Sequence, residues 1–399
     1  MADGPARRAG AVRISAAERR ARLAVRHRLT PPSRTDDVVA IADDLVALHS
    51  SDPVTVHLSV LARMRHPALA AVERALYDDR TLVRHHAMRR TLWVAGHETV
   101  RLAHAAATVD VHRTEHRKLC AGLTAAGFAD PDAWFAAGRA QVLDLLADGP
   151  LPGRDVGRRL PELTTPIPAG RLDNLLAAHT RLLLVLGFAG EVVRARPIGT
   201  WINGQYRWAA AHDWLPGGIA TGLDRRTAAA GLAERWLRAF GPGTKADLQW
   251  WAGWTAATTN RALADVDAVA VELDDGSAAF VLPDDVDTAP PVEPWVALLP
   301  GLDPTTMGWK ERGWYLDPEV GAAVFDRNGN AGPTIWVDGR VVGSWVQRPD
   351  GTIAVHLLTD VDPARRAEID ATAERLRELL GDVRFRVRFP APVQAALLA

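Results

Sequence analysis

The chain has 399 residues, of which 48% are hydrophobic and 24% are charged; these values are typical of soluble globular proteins with two or three domains. No apolar run approaches the ~18 residues of a membrane span, and the first dozen residues lack the apolar centre of a secretory signal. The single cysteine, Cys120, excludes an intramolecular disulfide and a cysteine-rich zinc site. The sequence therefore predicts a cytoplasmic protein with a disordered tail at residues 1–12.

The net charge of −1 hides an asymmetry along the chain. Residues 1–120 have 20 basic and 13 acidic side chains and contain ten of the 13 histidines, whereas residues 251–399 have a net charge of −10. A basic N-terminal part fits a protein that presents one face to a polyanion. Taken alone, the asymmetry fits a simple drift of charge along a multidomain chain equally well.

The first region, residues 13–129, is predicted to be mainly helical. Ser15 is a suitable N-cap for a helix that Thr30-Pro31-Pro32 terminates. Between the later helices, residues 81–96 are basic and apolar together and contain Arg84, Arg89 and Arg90. The expected helices lie at about 14–28, 38–48, 54–64, 67–78 and 97–107.

Two regions in the middle of the chain have the pattern of a winged helix-turn-helix unit, which requires two helices around a tight turn, a third helix and a β-hairpin. The first is residues 130–215, with helices predicted at 132–147, 153–160 and 170–178 and strands at 182–188 and 191–196. The second is residues 216–289, with helices predicted at 226–240, 245–254 and from 255, and strands at 268–273 and 278–282.

The last region, residues 290–399, changes to the two-residue period of strands. Asp338-Gly339 is a strong hairpin-turn signal between two of these strands, and an amphipathic helix is expected over 363–380. The fold class is therefore α+β, with tandem winged-helix units followed by a small β-barrel-like domain. The predicted strands are 295–299, 322–326, 334–337, 340–346, 352–358 and 383–389.

Several stretches, taken in order and spacing, resemble the AlkZ/YcaQ family of bacterial DNA glycosylases over residues 13–392. These stretches are Leu45–Leu48 through Asp52-Pro53, Leu58–Arg63, Met88–Leu92, Tyr206–Trp208, Phe240–Thr244, Leu298–Pro304, and Asp338-Gly339 leading to Gly343-Ser344-Trp345.

The resemblance implies a C-shaped scaffold that embraces duplex DNA. It also implies metal-independent hydrolysis of the N-glycosidic bond of bulky or crosslinking N-alkylpurines, in DNA repair or in self-resistance to a genotoxin. The family's catalytic motif, Gln-x-Gln or Gln-x-Asp, stands just before Asp-Pro. In this chain those two positions are His49 and Ser51. Both catalytic positions therefore depart from the family pattern.

The chemistry at these two positions can be argued directly. An N7-alkylated purine is cationic and leaves readily, so the protein mainly has to place a water molecule and stabilise an oxocarbenium-like sugar. A neutral His49 could hold that water and accept its proton, and Ser51 could orient it. Activity would then fall as the pH drops through the usual imidazole pKa. The alternative is that His49 only packs or caps at a helix end.

DNA contacts are expected from arginines, because phosphate contacts dominate duplex affinity. Arg84, Arg89 and Arg90 are candidates, with solvated helix surface as the alternative. Arg63, at the end of a family-like stretch, is added by its position. Arg194 and Arg196 lie on the expected first wing, where they could enter a groove or could simply aid solubility.

No cofactor is predicted. The adjacent His85-His86, with His57 and His97 nearby, give no His-x₃-His pair on one helical face with carboxylates, so we expect no metal. The predicted partner is duplex DNA, including alkylated or crosslinked duplexes, bound by a monomer without a membrane or protein partner. The alternatives are a non-catalytic DNA-binding protein on the same scaffold and, less well supported, a sequence-specific repressor, which would need two-fold symmetry to read a palindrome.

Overall fold

The computed structural model describes residues 12–169 and 171–398, so the tail expected at residues 1–12 lies outside the described residues apart from Val12. Five small sheets are joined by helices within this range. None of the described helices combines the length and the hydropathy of a membrane span.

The first region contains six helices and, contrary to expectation, a β-hairpin over residues 81–96. Ser15 Oγ caps the first helix by accepting from the Glu18 backbone N–H (3.1 Å). The expected second helix ends early because Val46 has a positive φ of 62° and the chain then enters a strand. The helices are α1 (Ala16–Arg26), α2 (Val38–Asp44), α3 (Pro53–Leu61), α4 (Leu69–Tyr77), α5 (His97–Ala103) and α6 (Val109–Ala125), with a π-helical turn at His104–Thr108. The strands are β1 (Arg13–Ile14), β2 (Leu48–His49), β3 (Leu82–His86) and β4 (Leu92–Gly96).

Strands β2, β4 and β3 form an antiparallel sheet in that order. Strand β1 instead pairs in parallel with a strand of the third region.

In the second region the sequence prediction is wrong at two places. Most of the expected helix at 170–178 is a strand, Arg171–Ala177, and the expected strand at 182–188 lies inside a helix, Ala178–Ala189. That helix packs against α6, two neighbouring helices and β3, so its residues 182–188 are apolar throughout and lack the helical period. The helices are α7 (Pro131–Ala147), α8 (Gly153–Arg159), α9 (Ala178–Ala189) and α10 (Ala211–Trp214). The strands are β5 (Leu151–Pro152), β6 (Pro166–Ala169), β7 (Arg171–Ala177), β8 (Val192–Pro197) and β9 (Tyr206–Ala210).

Strands β5, β9 and β8 form one sheet, and β6 pairs with β7 in another. The element order helix, strand, helix, helix and hairpin is that of a winged-helix unit with the β6–β7 hairpin inserted.

The third region follows the prediction closely. Thr244 and Asp247 form a capping box at the start of its second helix. The hairpin joins β1, so the sheet order is β1-β10-β11. The elements are α11 (Arg225–Phe240), α12 (Lys245–Ala252), α13 (Ala256–Asp265), β10 (Val269–Leu273) and β11 (Ala278–Val281).

The last region contains an open sheet where a barrel-like domain was expected. Four antiparallel strands follow one another in chain order, and they do not close within the described residues. The expected strand at 322–326 falls mostly in a helix that Asp317 caps, and the expected strand at 383–389 is irregular. Asp338 and Gly339 both have positive φ values, 48° and 83°, as the predicted hairpin turn requires. The elements are β12 (Val296–Leu299), α14 (Pro304–Met307), α15 (Pro318–Val324), β13 (Thr334–Val337), β14 (Arg340–Gln347), β15 (Ile353–Leu357), α16 (Pro363–Leu380) and α17 (Pro392–Leu398).

Two large hydrophobic cores organise the described residues. The larger core runs from Leu23 to Val393 and contains residues of all four regions. A separate core within residues 119–210 joins the end of α6 to the second region. The domain boundaries drawn from the sequence stay a prediction, since contacts of β1 and of the larger core cross them.

Candidate functional site

The segment His49–Pro53 connects strand β2 to helix α3. Asp52 is the N-cap of α3, and its Oδ1 accepts from the Val54 backbone N–H at 3.2 Å. Pro53 occupies the first turn, where its missing N–H costs nothing. This Asp-Pro pair fixes the point at which the strand turns into the helix, and it places His49 and Ser51 just before the helix N-terminus.

His49 is almost fully buried, with 5% of its surface exposed. It pairs with Trp93 across the β2–β4 ladder, and the two ring centroids are 4.8 Å apart. Burial, together with the nearby Arg89 guanidinium, lowers the pKa of His49 from 6.5 to about 3. The imidazole is therefore neutral at physiological pH.

The hydrogen bonding of His49 defines its tautomer. The Ser51 backbone N–H donates to His49 Nδ1 at 3.3 Å, so in the neutral ring the proton resides on Nε2. Nε2 has no hydrogen-bond partner among the described residues and is not completely shielded from solvent. His49 therefore retains an unpartnered N–H donor.

Ser51 is half-buried, and its Oγ makes no hydrogen bond within the described part of the chain. Its carbonyl accepts from Arg388 Nη1 at 3.0 Å, and the Arg388 backbone N–H donates to Asp52 Oδ2 at 2.9 Å. Burial raises the pKa of Asp52, while the N–H groups of Arg388 and Val54 oppose that shift. The segment at Arg388, more than 330 residues away in the sequence, thus fixes the loop at Ser51 and Asp52 through hydrogen bonds. The sequence gives no signal for this contact.

Arg84 lies on β3 next to the same loop, and the structure does not place it where it could contact a phosphate. Only 1% of Arg84 is exposed. Its Nε donates to Ser50 Oγ at 2.8 Å, its Nη1 bonds to the Tyr77 hydroxyl, and its guanidinium lies 4.3 Å from the Tyr206 ring centroid. Arg84 positions Ser50, the residue between the two candidate catalytic side chains.

Arg63 is likewise not placed where it could contact DNA, because the residue is 0% exposed. Its guanidinium binds both carboxylate oxygens of Asp303, at 2.9 and 2.8 Å, and Ser59 Oγ donates to the same carboxylate at 2.6 Å. The two stretches Leu58–Arg63 and Leu298–Pro304, which resemble the family, therefore meet in one buried ion pair that joins α3 to the last region.

Arg89 and Arg90 lie in a single 3-10 turn, Met88–Arg90, that connects β3 to β4. Both have left-handed backbones, with φ values of 53° and 63°, a conformation that costs a non-glycine residue about 1–3 kcal/mol. Arg90 is half-exposed, and its Nε lies 2.8 Å from the buried Glu115 carboxylate. The Arg89 guanidinium lies 4.2 Å from the Trp250 ring centroid. Burial lowers the pKa of Arg89 to about 10.

Arg194 and Arg196 lie on β8 of the predicted wing hairpin, but both are engaged within the protein. The Arg194 guanidinium lies 3.4 Å from the Trp208 ring centroid, and burial lowers its pKa to about 9. Arg196 pairs with Glu73 at 2.9 Å and with Asp78 at 2.8 Å. The Arg196 side chain is 42% exposed even while it is paired, whereas Arg194 packs on Trp208, so Arg196 is the better placed of the two for a phosphate.

Comparisons with known proteins bear on this arrangement. The family model of the AlkZ-like DNA glycosylases matches residues 42–379, a range that includes His49–Pro53, the β3–β4 hairpin and Asp303. Among solved structures, the DNA glycosylase AlkZ of Streptomyces sahachiroi shares the fold, with a TM-score of 0.70 and 20% identity over 94% of this chain and 99% of that chain. A comparison with curated proteins gives no match. Because the family model spans most of its length, the chain belongs to the AlkZ-like DNA glycosylase family.

Proposed function

We propose that this chain is a DNA glycosylase that hydrolyses the N-glycosidic bond of bulky or crosslinking N-alkylpurines in duplex DNA, with no metal at the reacting centre. The observation that carries the proposal is a neutral His49 whose Nε2–H has no partner among the described residues, two residues before the Ser51 hydroxyl and next to the N-terminus of α3. Membership of a DNA glycosylase family supports DNA as the substrate.

The reaction needs little from the protein beyond the placement of water. As the C1′–N bond breaks, its electron pair moves to the purine and neutralises the positive charge there. The oxygen of water then bonds to C1′ of the oxocarbenium-like sugar and loses a proton to solvent. Water that adds to such a cation becomes strongly acidic, so a strong base is unnecessary and a precise position is sufficient.

His49 suits the role of water holder better than the role of base. Its Nε2–H can donate to a lone pair of the water, as a glutamine amide N–H does in the family motif. Its neutrality avoids repulsion of the cationic sugar, because its pKa is about 3. An imidazole with such a pKa accepts a proton poorly near pH 7.

Ser51 supplies the complementary acceptor in this proposal. Its Oγ can accept a proton of the same water and pass it toward solvent, since a hydroxyl both donates and accepts. Two arginines fix the loop: Arg84 donates to Ser50 Oγ, and Arg388 donates to the Ser51 carbonyl. This support limits the movement of the two side chains, which is what the placement of a nucleophilic water requires.

One observation favours a second function, DNA binding without catalysis. The Nδ1 lone pair of His49 is already taken by the Ser51 N–H, so no imidazole acceptor faces solvent, whereas a glutamine would offer both a donor and an acceptor. A chain that kept the scaffold and lost the chemistry would have such a site.

The deciding experiment measures base release from duplexes containing N7-methylguanine or a purine crosslink, together with affinity for the same duplexes. We expect wild type to release base, His49→Ala to bind DNA with unchanged affinity and to release none, and His356→Ala, at an exposed histidine on β15, to behave as wild type. Binding by wild type without release from any substrate would establish the non-catalytic alternative.

A further inference from the structure

A cluster of metal-ligating side chains lies away from the loop at His49. Among the described residues, His116, Cys120 and Asp132 bring one nitrogen, the sulfur and one oxygen within 4.8 Å of one another. His116 and Cys120 are one turn apart on α6 and share a face, and Asp132 stands in the first turn of α7. The sequence-based expectation of no metal rested on other histidines and overlooked this group.

The distances are those of a tetrahedral metal face. Cys120 Sγ lies 3.8 and 3.9 Å from the two ring nitrogens of His116 and 3.7 Å from Asp132 Oδ1, and His116 Nε2 lies 3.7 Å from the same oxygen. Zinc bonds of ~2.0 Å to N or O and ~2.3 Å to S give tetrahedral edges of about 3.3–3.5 Å. A closure of a few tenths of an ångström would therefore place all three atoms around one ion.

The surroundings favour an ion over a simple hydrogen bond. A Cys120–Asp132 hydrogen bond would satisfy one pair and leave His116 with only long contacts. The Phe135 ring packs edge-on against the His116 ring, with centroids 4.5 Å apart, and fixes its plane. Asp132 is 81% exposed in its side chain, so the open side of the triangle faces solvent and a fourth ligand can enter.

We propose that His116, Cys120 and Asp132 bind one zinc ion, or a divalent ion of similar softness, which ties α6 to α7. The mixture of imidazole, thiolate and carboxylate is one that zinc accepts. The fourth ligand is a water molecule or His112, one turn before His116, whose Nε2 is buried without a hydrogen-bond partner. On binding, the Cys120 thiol gives up its proton to solvent and the sulfur bonds to the metal.

The consequence of such a site is structural. Helix α6 carries Glu115, the buried carboxylate that pairs with Arg90 in the β3–β4 turn, and α7 belongs to the second core. An ion between α6 and α7 would add a second link between two helices that already share this core. It takes no part in the reaction proposed at His49, so the two proposals stand independently.

Cobalt provides the direct test. Chelator-treated protein is titrated with Co²⁺ while the sulfur-to-cobalt charge-transfer absorption is recorded, and Zn²⁺ is then added. We expect one equivalent of Co²⁺ to produce the band, Zn²⁺ to abolish it by displacement, Cys120→Ser to lose it, and His356→Gln to keep it. Wild type without the band, or Cys120→Ser with unchanged metal affinity, would overturn the proposal.

A second measurement covers variants that fold poorly. Cys120 is the chain's single cysteine, so alkylation of intact wild-type protein reports on it alone. We expect Zn²⁺ to protect Cys120 from iodoacetamide in wild type and in His356→Gln, and protection to be lost in His116→Gln. An alkylation rate of wild type that Zn²⁺ leaves unchanged would contradict a thiolate-bound ion.

Discussion

At the scale of single residues, the position of one proton separates two roles for His49. The sequence suggests a base that titrates near neutral pH, whereas burial and Arg89 lower the pKa of His49 to about 3, and the Ser51 N–H occupies its acceptor nitrogen. The position of the residue could be read from the Asp-Pro that follows it. Its protonation state could not be read from the sequence, because His49 is buried against Trp93, which lies on another strand.

The first prediction concerns the pH profile of base release. Since the pKa of His49 is about 3, its neutral fraction does not change between pH 8 and pH 6, and the single-turnover rate should stay level. A base with a pKa of ~6.5 would instead lose about fourfold at pH 6. A fall of that size, with folding confirmed by circular dichroism at each pH, would return His49 to the role of base.

The second prediction is that His49→Gln retains base release. Glutamine restores an amide N–H donor at the position where Nε2–H stands and adds an acceptor, so it can hold the same water. His49→Ala removes the donor and should abolish release. Single-turnover rates on one N7-methylguanine duplex compare the three proteins. Loss of activity in the glutamine variant at unchanged DNA affinity would mean that the imidazole ring itself is required.

At the scale of elements, composition singled out the β3–β4 hairpin as a candidate DNA contact. It did not predict that the segment folds as two strands. Its residues are basic and apolar together, and only the pairing of β3 with β4 decides that Arg84 points inward while Arg89 and Arg90 form the turn. Helices with a polar face, such as α11 and α16, were predicted almost to the residue. Helix α9 was mistaken for a strand because all its sides are buried.

The third prediction belongs to this hairpin. Replacing Arg89 and Arg90 together by glutamine should weaken binding to all duplex sequences by a similar factor, because phosphate contacts carry no sequence information. The salt slope should flatten by about 0.9 for each phosphate that the variant no longer neutralises. The matched control is the double glutamine replacement of Arg375 and Arg377, both exposed on α16. If the two double variants bound DNA with equal affinity, Arg89 and Arg90 would not contact phosphates.

At the scale of the whole molecule, the buried Arg63–Asp303 pair connects regions that the sequence places 240 residues apart. The fourth prediction is that Arg63→Met lowers the free energy of unfolding by about 3–5 kcal/mol, because it leaves the Asp303 carboxylate buried without its partner. Urea unfolding measures the change. Arg65→Met, at an exposed neighbour, should change stability little. A variant of Arg63 that is fully stable but binds DNA poorly would reinstate the contact to DNA.

The fifth prediction is that the fold is lost in mild acid. Burial lowers the pKa of His27 and His49 to about 3 and that of His104 to about 4, and it takes His85 and His86 well below 6.5. Below pH 6.5 these histidines bind protons in the unfolded chain but stay neutral in the folded chain. The free energy of unfolding therefore falls as pH drops, by up to about 1.4 kcal/mol per pH unit for each such histidine. Above pH 6.5 the contribution of these histidines to the free energy of unfolding is fully present.

His85 isolates one of these contributions. Both of its ring nitrogens are buried without hydrogen-bond partners in the described residues, so His85→Leu removes a titrating group and two unsatisfied polar atoms at once. Urea unfolding between pH 7.5 and pH 5.5 should give this variant a higher stability than wild type and a pH slope lower by up to about 1.4 kcal/mol per unit. The matched control is His356→Leu, at an exposed histidine on β15. If His85→Leu kept the wild-type dependence of the free energy of unfolding on pH, His85 would have to bind its proton equally in the folded and unfolded chains. That result would contradict a neutral, buried His85.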